Sequence, residues 1–111
     1  MATADANFTN HVFEVARQIP VGRVTSYGAI AKFLGVANWS RKVGHAMGEV
    51  SGVEPAVPYQ RVVNSTGRLT GGTSGIEQRA KLLATEGVTV IGDKVQDFKN
   101  VFWDPSTELD Y

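Results

Sequence analysis

Arg41, Lys42 and His45 stand within five residues of one another, and they are the densest group of basic side chains in the chain. A planar guanidinium can stack on a flat ring and donate several hydrogen bonds, so Arg41 suits recognition of a ring or an anion. Nucleophilic chemistry is poorly served. The chain has no cysteine, hence no thiolate, disulfide or cysteine-bound metal, and two histidines, His11 and His45, are too few for a histidine cluster. Tyr59-Gln60 sets a phenol beside an amide that cannot take its proton, leaving Tyr59 without a base as a nucleophile. The run Gly71-Gly72-Thr73-Ser74-Gly75 is glycine-rich, but its neighbours fit neither phosphate-binding fingerprint, and it reads as a mobile lid.

Charge is distributed unevenly along the chain. The formal net charge is zero, which taken alone argues against a polyanionic partner. Yet Arg17 to Lys81 contains nine basic residues and three acidic ones, a balance of +6, while residues 1–16 carry −2 and residues 82–111 carry −4. A basic middle between acidic ends is consistent with a segregated binding face; ordinary solvated charge can give the same pattern.

The elements that must position these groups follow from apolar spacing. Phe8, Val12, Phe13, Ala16 and Ile19 mark a helix from about Asn7 to Gln18, ended by Ile19-Pro20. Ser26 caps a short helix that buries Ile30, Phe33 and Leu34 and closes at Gly35. A second short helix, Trp39 to Gly48, places Val43 and Met47 on one face and Arg41, Lys42 and His45 on others. This is a helix-turn-helix order with the charge on the second helix, although a plain helical hairpin has the same signature. Val62-Val63, the turn Asn64 to Gly67, and Arg68 to Thr70 read as a wing-like hairpin or loop. Ser74 and Glu77 have capping-box spacing for a helix stopped by Gly87. A small hairpin across Gly92-Asp93 and an aromatic anchor ending at Trp103 follow.

The expected fold class is mainly α with small β elements, a winged helix-turn-helix occupying residues 1–111 as one domain, with residues 1–6 and the acidic 104–111 loose. No run approaches the roughly 20 apolar residues of a membrane span, and the first residues lack signal-peptide character. A cytoplasmic monomer with no membrane partner and no cofactor is therefore expected, associated with the nucleoid or the nucleus according to the host.

Three segments carry a resemblance: Gly22 to Ala31 (GRVTSYGAIA), Arg41 to Met47 (RKVGHAM) and Pro58 to Ser65 (PYQRVVNS), in one order over about Phe8 to Val90. Together they resemble the C-terminal DNA-binding domain of the O6-alkylguanine-DNA alkyltransferases. That family carries Pro-Cys-His-Arg in the third segment, with the cysteine as alkyl acceptor, where this chain has Tyr59 and Gln60. The departure is similar to that of alkyltransferase-like proteins, which bind alkylated DNA without accepting the alkyl group. An asparagine of the family's hydrogen-bonded network is also missing, Glu49-Val50-Ser51 standing in its region.

The resemblance implies double-stranded DNA containing alkylated guanine as partner, with nucleotide excision repair proteins acting downstream. It implies that Tyr27, exposed at a helix start, crowds the backbone and turns the nucleotide out, and that Arg41 fills the vacated stack. Gly44 would allow close approach to the minor groove; Trp39, Ser40, Ser26 and Ser65 would contact sugar and phosphate, Trp39 being equally suited to a core anchor. The alkylguanine pocket would be lined by Met47, Tyr59, Val62 and Thr73, with backbone groups of Tyr59 and Val62 reading the base, and widened by Gly72 where the family often has an aromatic residue. The alternative is a generic winged-helix DNA-binding or regulatory protein without lesion specificity.

Overall fold

Three helices pack around one apolar cluster: α1 (Ala2–Arg17), α2 (Tyr27–Phe33) and α3 (Ser40–Met47). The computed structural model describes the backbone of residues 2–109 and the side chains of residues 7–109. Helix α1 starts five residues before the apolar spacing indicates, because the alanine-rich lead-in has high helix propensity although it presents no apolar stripe. Its stripe of Val12, Phe13, Val15 and Ala16, with Ile19 just past its end, meets Ile30 and Ala31 of α2 and Val43, Ala46 and Met47 of α3. Ser26 caps α2 as its type suggests, its hydroxyl accepting from the Ala29 N–H at 3.0 Å. Gly35, at φ +84°, then lets the chain leave the helix and turn into α3.

Two short strands join this half to the wing. β1 (Thr25–Ser26) runs parallel to β2 (Val62–Val63), with Thr25 opposite Val62 and Ser26 opposite Val63. Of the hairpin or loop expected within residues 62–70 the structure has the loop: Val62 and Val63 pair backwards with β1, and Arg68 bridges to Lys94. β3 (Val90–Ile91) and β4 (Lys94–Val95) form the hairpin across Gly92-Asp93. Gly67 is fixed twice over, by φ +81° and by the Phe98 ring, whose carbon would lie 2.8 Å from an added Cβ. Val24, Val63, Leu69, Leu83, Val88 and Val95 make a second core beneath the wing.

The lid and the tail also differ from expectation. α4 (Thr73–Thr85) begins after Gly72 with no side-chain cap, so Ser74 and Glu77 lie inside it and only Gly71 and Gly72 of the expected lid stand outside the helix. After α5 (Phe98–Val101), Trp103 is buried in the first core, and α6 (Pro105–Glu108) is capped by Asp104. Glu108 pairs with Arg23 at 3.0 Å, and Arg23 also donates to the carbonyls of Val101 and Phe102. Residues 104–109 are thus strapped down rather than loose, because the Arg23 guanidinium donates to the Glu108 carboxylate and to the carbonyls of Val101 and Phe102 just before them. The looseness expected of Met1, Asp110 and Tyr111 lies outside the described residues. Among the described residues no helix is long and apolar enough to cross a membrane.

Candidate nucleic-acid interface

Helices α2 and α3 pack on one another as a helix-turn-helix, and α3 carries the free charge. Arg41 is exposed and makes no hydrogen bond or ion pair among the described residues. Lys42 lies 3.8 Å over the Trp39 ring, which meets Phe8 edge-on at 5.2 Å. Trp39 is half-buried against the core, so it acts as an anchor with one face carrying a cation, and Ser40 opens the helix beside it.

A cleft of about 800 Å3 opens along the other flank of α3. Four residues singled out in the sequence meet there: Tyr27, Gly44, Met47 and Tyr59. Gly44 contributes space, since an added Cβ would find nothing within 4 Å. Tyr59 sits on a one-turn 3-10 helix, Tyr59–Arg61, at the cleft's inner end of the loop from α3. Tyr27 is half-buried rather than exposed, with its hydroxyl 3.2 Å from Thr70 Oγ1 on the rim.

Other expected residues fall elsewhere. Val62 is 1% exposed, packs in the core, pairs with Thr25, and gives its N–H to the Tyr59 carbonyl, so neither its side chain nor its amide faces the cleft. Thr73 is exposed at the first turn of α4 and does not line the cleft; Thr70 and Gly71 hold the rim, with Gln78 and Arg79 on the wall. Ser26 is 6% exposed, with its oxygen engaged in the α2 cap, which removes it as a phosphate contact. Ser65 is exposed on the turn that Asn64 holds by accepting from Thr66 and Arg68.

Sequence reasoning missed most of the wall. Residues 48–57 supply much of it, held from behind by Arg17, whose guanidinium donates twice to the Pro55 carbonyl at 3.1 and 2.8 Å. It also missed a buried clamp beneath Tyr59. Gln60 Nε2 donates to Glu86 at 2.8 Å, Arg61 donates to both Glu86 oxygens at 2.9 Å, and a third Arg61 N–H reaches the Ile19 carbonyl. Burial alone would raise the Glu86 carboxyl's affinity for a proton. The donors Arg61, Gln60 and the Gly22 N–H outweigh it and hold the group below its ordinary range. These partners are 25 and 26 residues apart, beyond the reach of local spacing rules. Among the described residues, no three potential metal ligands gather anywhere.

Comparison with known proteins agrees with this architecture. The family model described as "6-O-methylguanine DNA methyltransferase, DNA binding domain" matches residues 7–88. Alkyltransferase-like protein 1 of Schizosaccharomyces pombe is 36% identical over 94 residues, which span 83% of this chain and 86% of that protein. A DNA base-flipping protein of Vibrio parahaemolyticus is 35% identical over 83 residues, 75% of this chain and 82% of that one. The crystal structure of S. pombe Atl1 in complex with damaged DNA containing O6-carboxymethylguanine superposes with a TM-score of 0.81 at 30% identity, covering 90% of this chain and 97% of that one. A winged helix-turn-helix with its cleft beside the second helix, matched over most of its length by these proteins, places the chain in the family of the 6-O-methylguanine DNA methyltransferase DNA-binding domain, to which it belongs.

Proposed function

We propose that the protein binds O6-alkylguanine in duplex DNA without chemistry and marks the lesion for nucleotide excision repair. α3 enters the minor groove, Tyr27 and Arg41 exchange places with the damaged nucleotide, and the everted base enters the cleft beside Tyr59. The observation that carries this reading is the meeting of Tyr27, Gly44, Met47 and Tyr59 on one cleft, on the helix that presents an unpaired Arg41. At about 800 Å3 the cleft lies within the range of about 300–1,000 Å3 common to small-molecule sites. Its floor has a phenol where transfer would need a thiolate, and Gln60 is turned into the Glu86 clamp and is no base.

Binding to two duplexes that differ by one O6-methylguanine tests it. The lesion duplex is expected to bind at least tenfold more tightly, since groove and cleft contacts must offset a few kcal/mol of base extrusion; equal affinities would refute lesion recognition. Selection of a defined operator from random DNA would instead support a generic winged-helix regulator. Intact mass after incubation with alkylated DNA is expected to show no alkyl adduct. The protein acts as a cytoplasmic monomer in this reading.

A further inference from the structure

The cleft holds a cation that the steps above leave unused. Arg79 projects from α4 onto its wall, and carbonyl oxygens rather than an acid hold its guanidinium: Nε donates to the Gly75 carbonyl at 3.2 Å and Nη2 to that of Thr70. These bonds occupy two of the five N–H groups of an arginine, and three remain for a ligand. Gly71 keeps the approach clear. Its φ of +110° suits glycine, and an added Cβ would stand 3.5 Å from Arg79 Nη2, so a longer side chain there would crowd the cation. Glu54 is the other formally charged residue on the lining; it is exposed and makes no ion pair among the described residues.

Resting on the lesion-binding reading, we infer that Arg79 makes the cleft a site for guanines whose O6 substituent ends in an anion, the O6-carboxyalkyl class, and selects them over neutral substituents of equal size. A methyl group leaves most of the cleft unfilled, whereas a carboxylate on a short arm can take a charge-assisted, two-point bond from the free guanidinium edge. DNA itself disfavours an added negative charge, so a preference for the anion needs a protein cation to explain it.

Three duplexes carrying O6-methyl-, O6-carboxymethyl- or O6-carbamoylmethylguanine test this by fluorescence anisotropy with the full chain. The last two lesions are nearly isosteric and differ by one charge. The wild-type protein is expected to bind the carboxymethyl lesion about tenfold more tightly than the carbamoylmethyl one. Arg79→Gln should bring that ratio near one, and Glu54→Gln, which removes the opposing charge, should raise it. A wild-type ratio of one or less overturns the inference without recourse to any variant. So does a ratio that survives Arg79→Gln with equal losses on all three lesions, which would put the guanidinium on phosphate. If no lesion is preferred to undamaged guanine, the lesion-binding reading itself falls.

Discussion

Arg41 combines two properties that a vacated base stack requires: a flat cation able to stack, and freedom from internal partners that would have to be broken first. Arg41→Ala is therefore expected to weaken lesion binding by about tenfold or more. Arg41→Lys keeps the charge and loses the plane, so it should retain affinity for undamaged duplex and lose discrimination. A lysine variant that discriminates as well as wild type would remove the stacking role. Tyr27→Ala should also weaken lesion binding, and for a reason visible only in the structure: the ring is half-buried and its hydroxyl meets Thr70, so its loss removes one side of the cleft rim. At this scale the sequence motifs singled out Tyr27, Gly44, Met47 and Tyr59, which the fold brings to one cleft, and Arg41, which it leaves exposed on α3. They misplaced Val62 and Thr73, because a β-pairing and a helix start one residue before Ser74 decide where those side chains go.

Among the elements, α2 was legible from its serine cap and glycine exit, and α3 from the one-turn spacing of Val43 and Met47. The loop of residues 48–57 was not, since a wall without regular periodicity owes its course to distant partners such as Arg17. The same holds for the clamp that ties the 3-10 turn to α4. Glu86 and Arg61 keep only 12% and 14% of their side chains exposed, so removing the acid strands a largely buried guanidinium. Glu86→Gln is expected to cost about 3 kcal/mol, read as a lowered midpoint in urea, and to weaken lesion binding by loosening Tyr59. The pH response has a definite sign. The folded carboxyl lies below its ordinary range, so its stabilisation is complete above about pH 4.3, the usual value for an unfolded glutamate. It is lost as pH falls through the folded value. Wild-type stability should therefore drop more steeply than that of Glu86→Gln between about pH 5 and pH 3; parallel curves would show that the clamp contributes little.

The whole molecule revises the charge pattern. Nine cations between residues 17 and 81 face three acids there, but folding brings acids from the C-terminal stretch back onto them: Glu108 onto Arg23, Glu86 onto Arg61, and Asp93 onto Arg68. Among the described residues, six cations of that stretch stay outside ion pairs, leaving +3 against the three local acids, half the excess counted along the chain. The distinction is measurable, because each phosphate neutralised contributes about −0.9 to the slope of log affinity against log salt. If the ion-paired arginines stay paired on the duplex, at most the six unpaired cations meet phosphate, and the slope for undamaged DNA between 50 and 200 mM salt should be no steeper than about −5. A slope clearly steeper than that, toward about −8, would mean that Arg23, Arg61 or Arg68 leaves its acid to meet phosphate. If Arg23 is the one that leaves, the tail strap opens on binding, since its guanidinium otherwise holds Glu108 and the carbonyls of Val101 and Phe102. Arg23→Ala separates the two cases: a shallower slope identifies a phosphate contact, whereas a lowered melting temperature with the slope unchanged identifies a strap that stays closed.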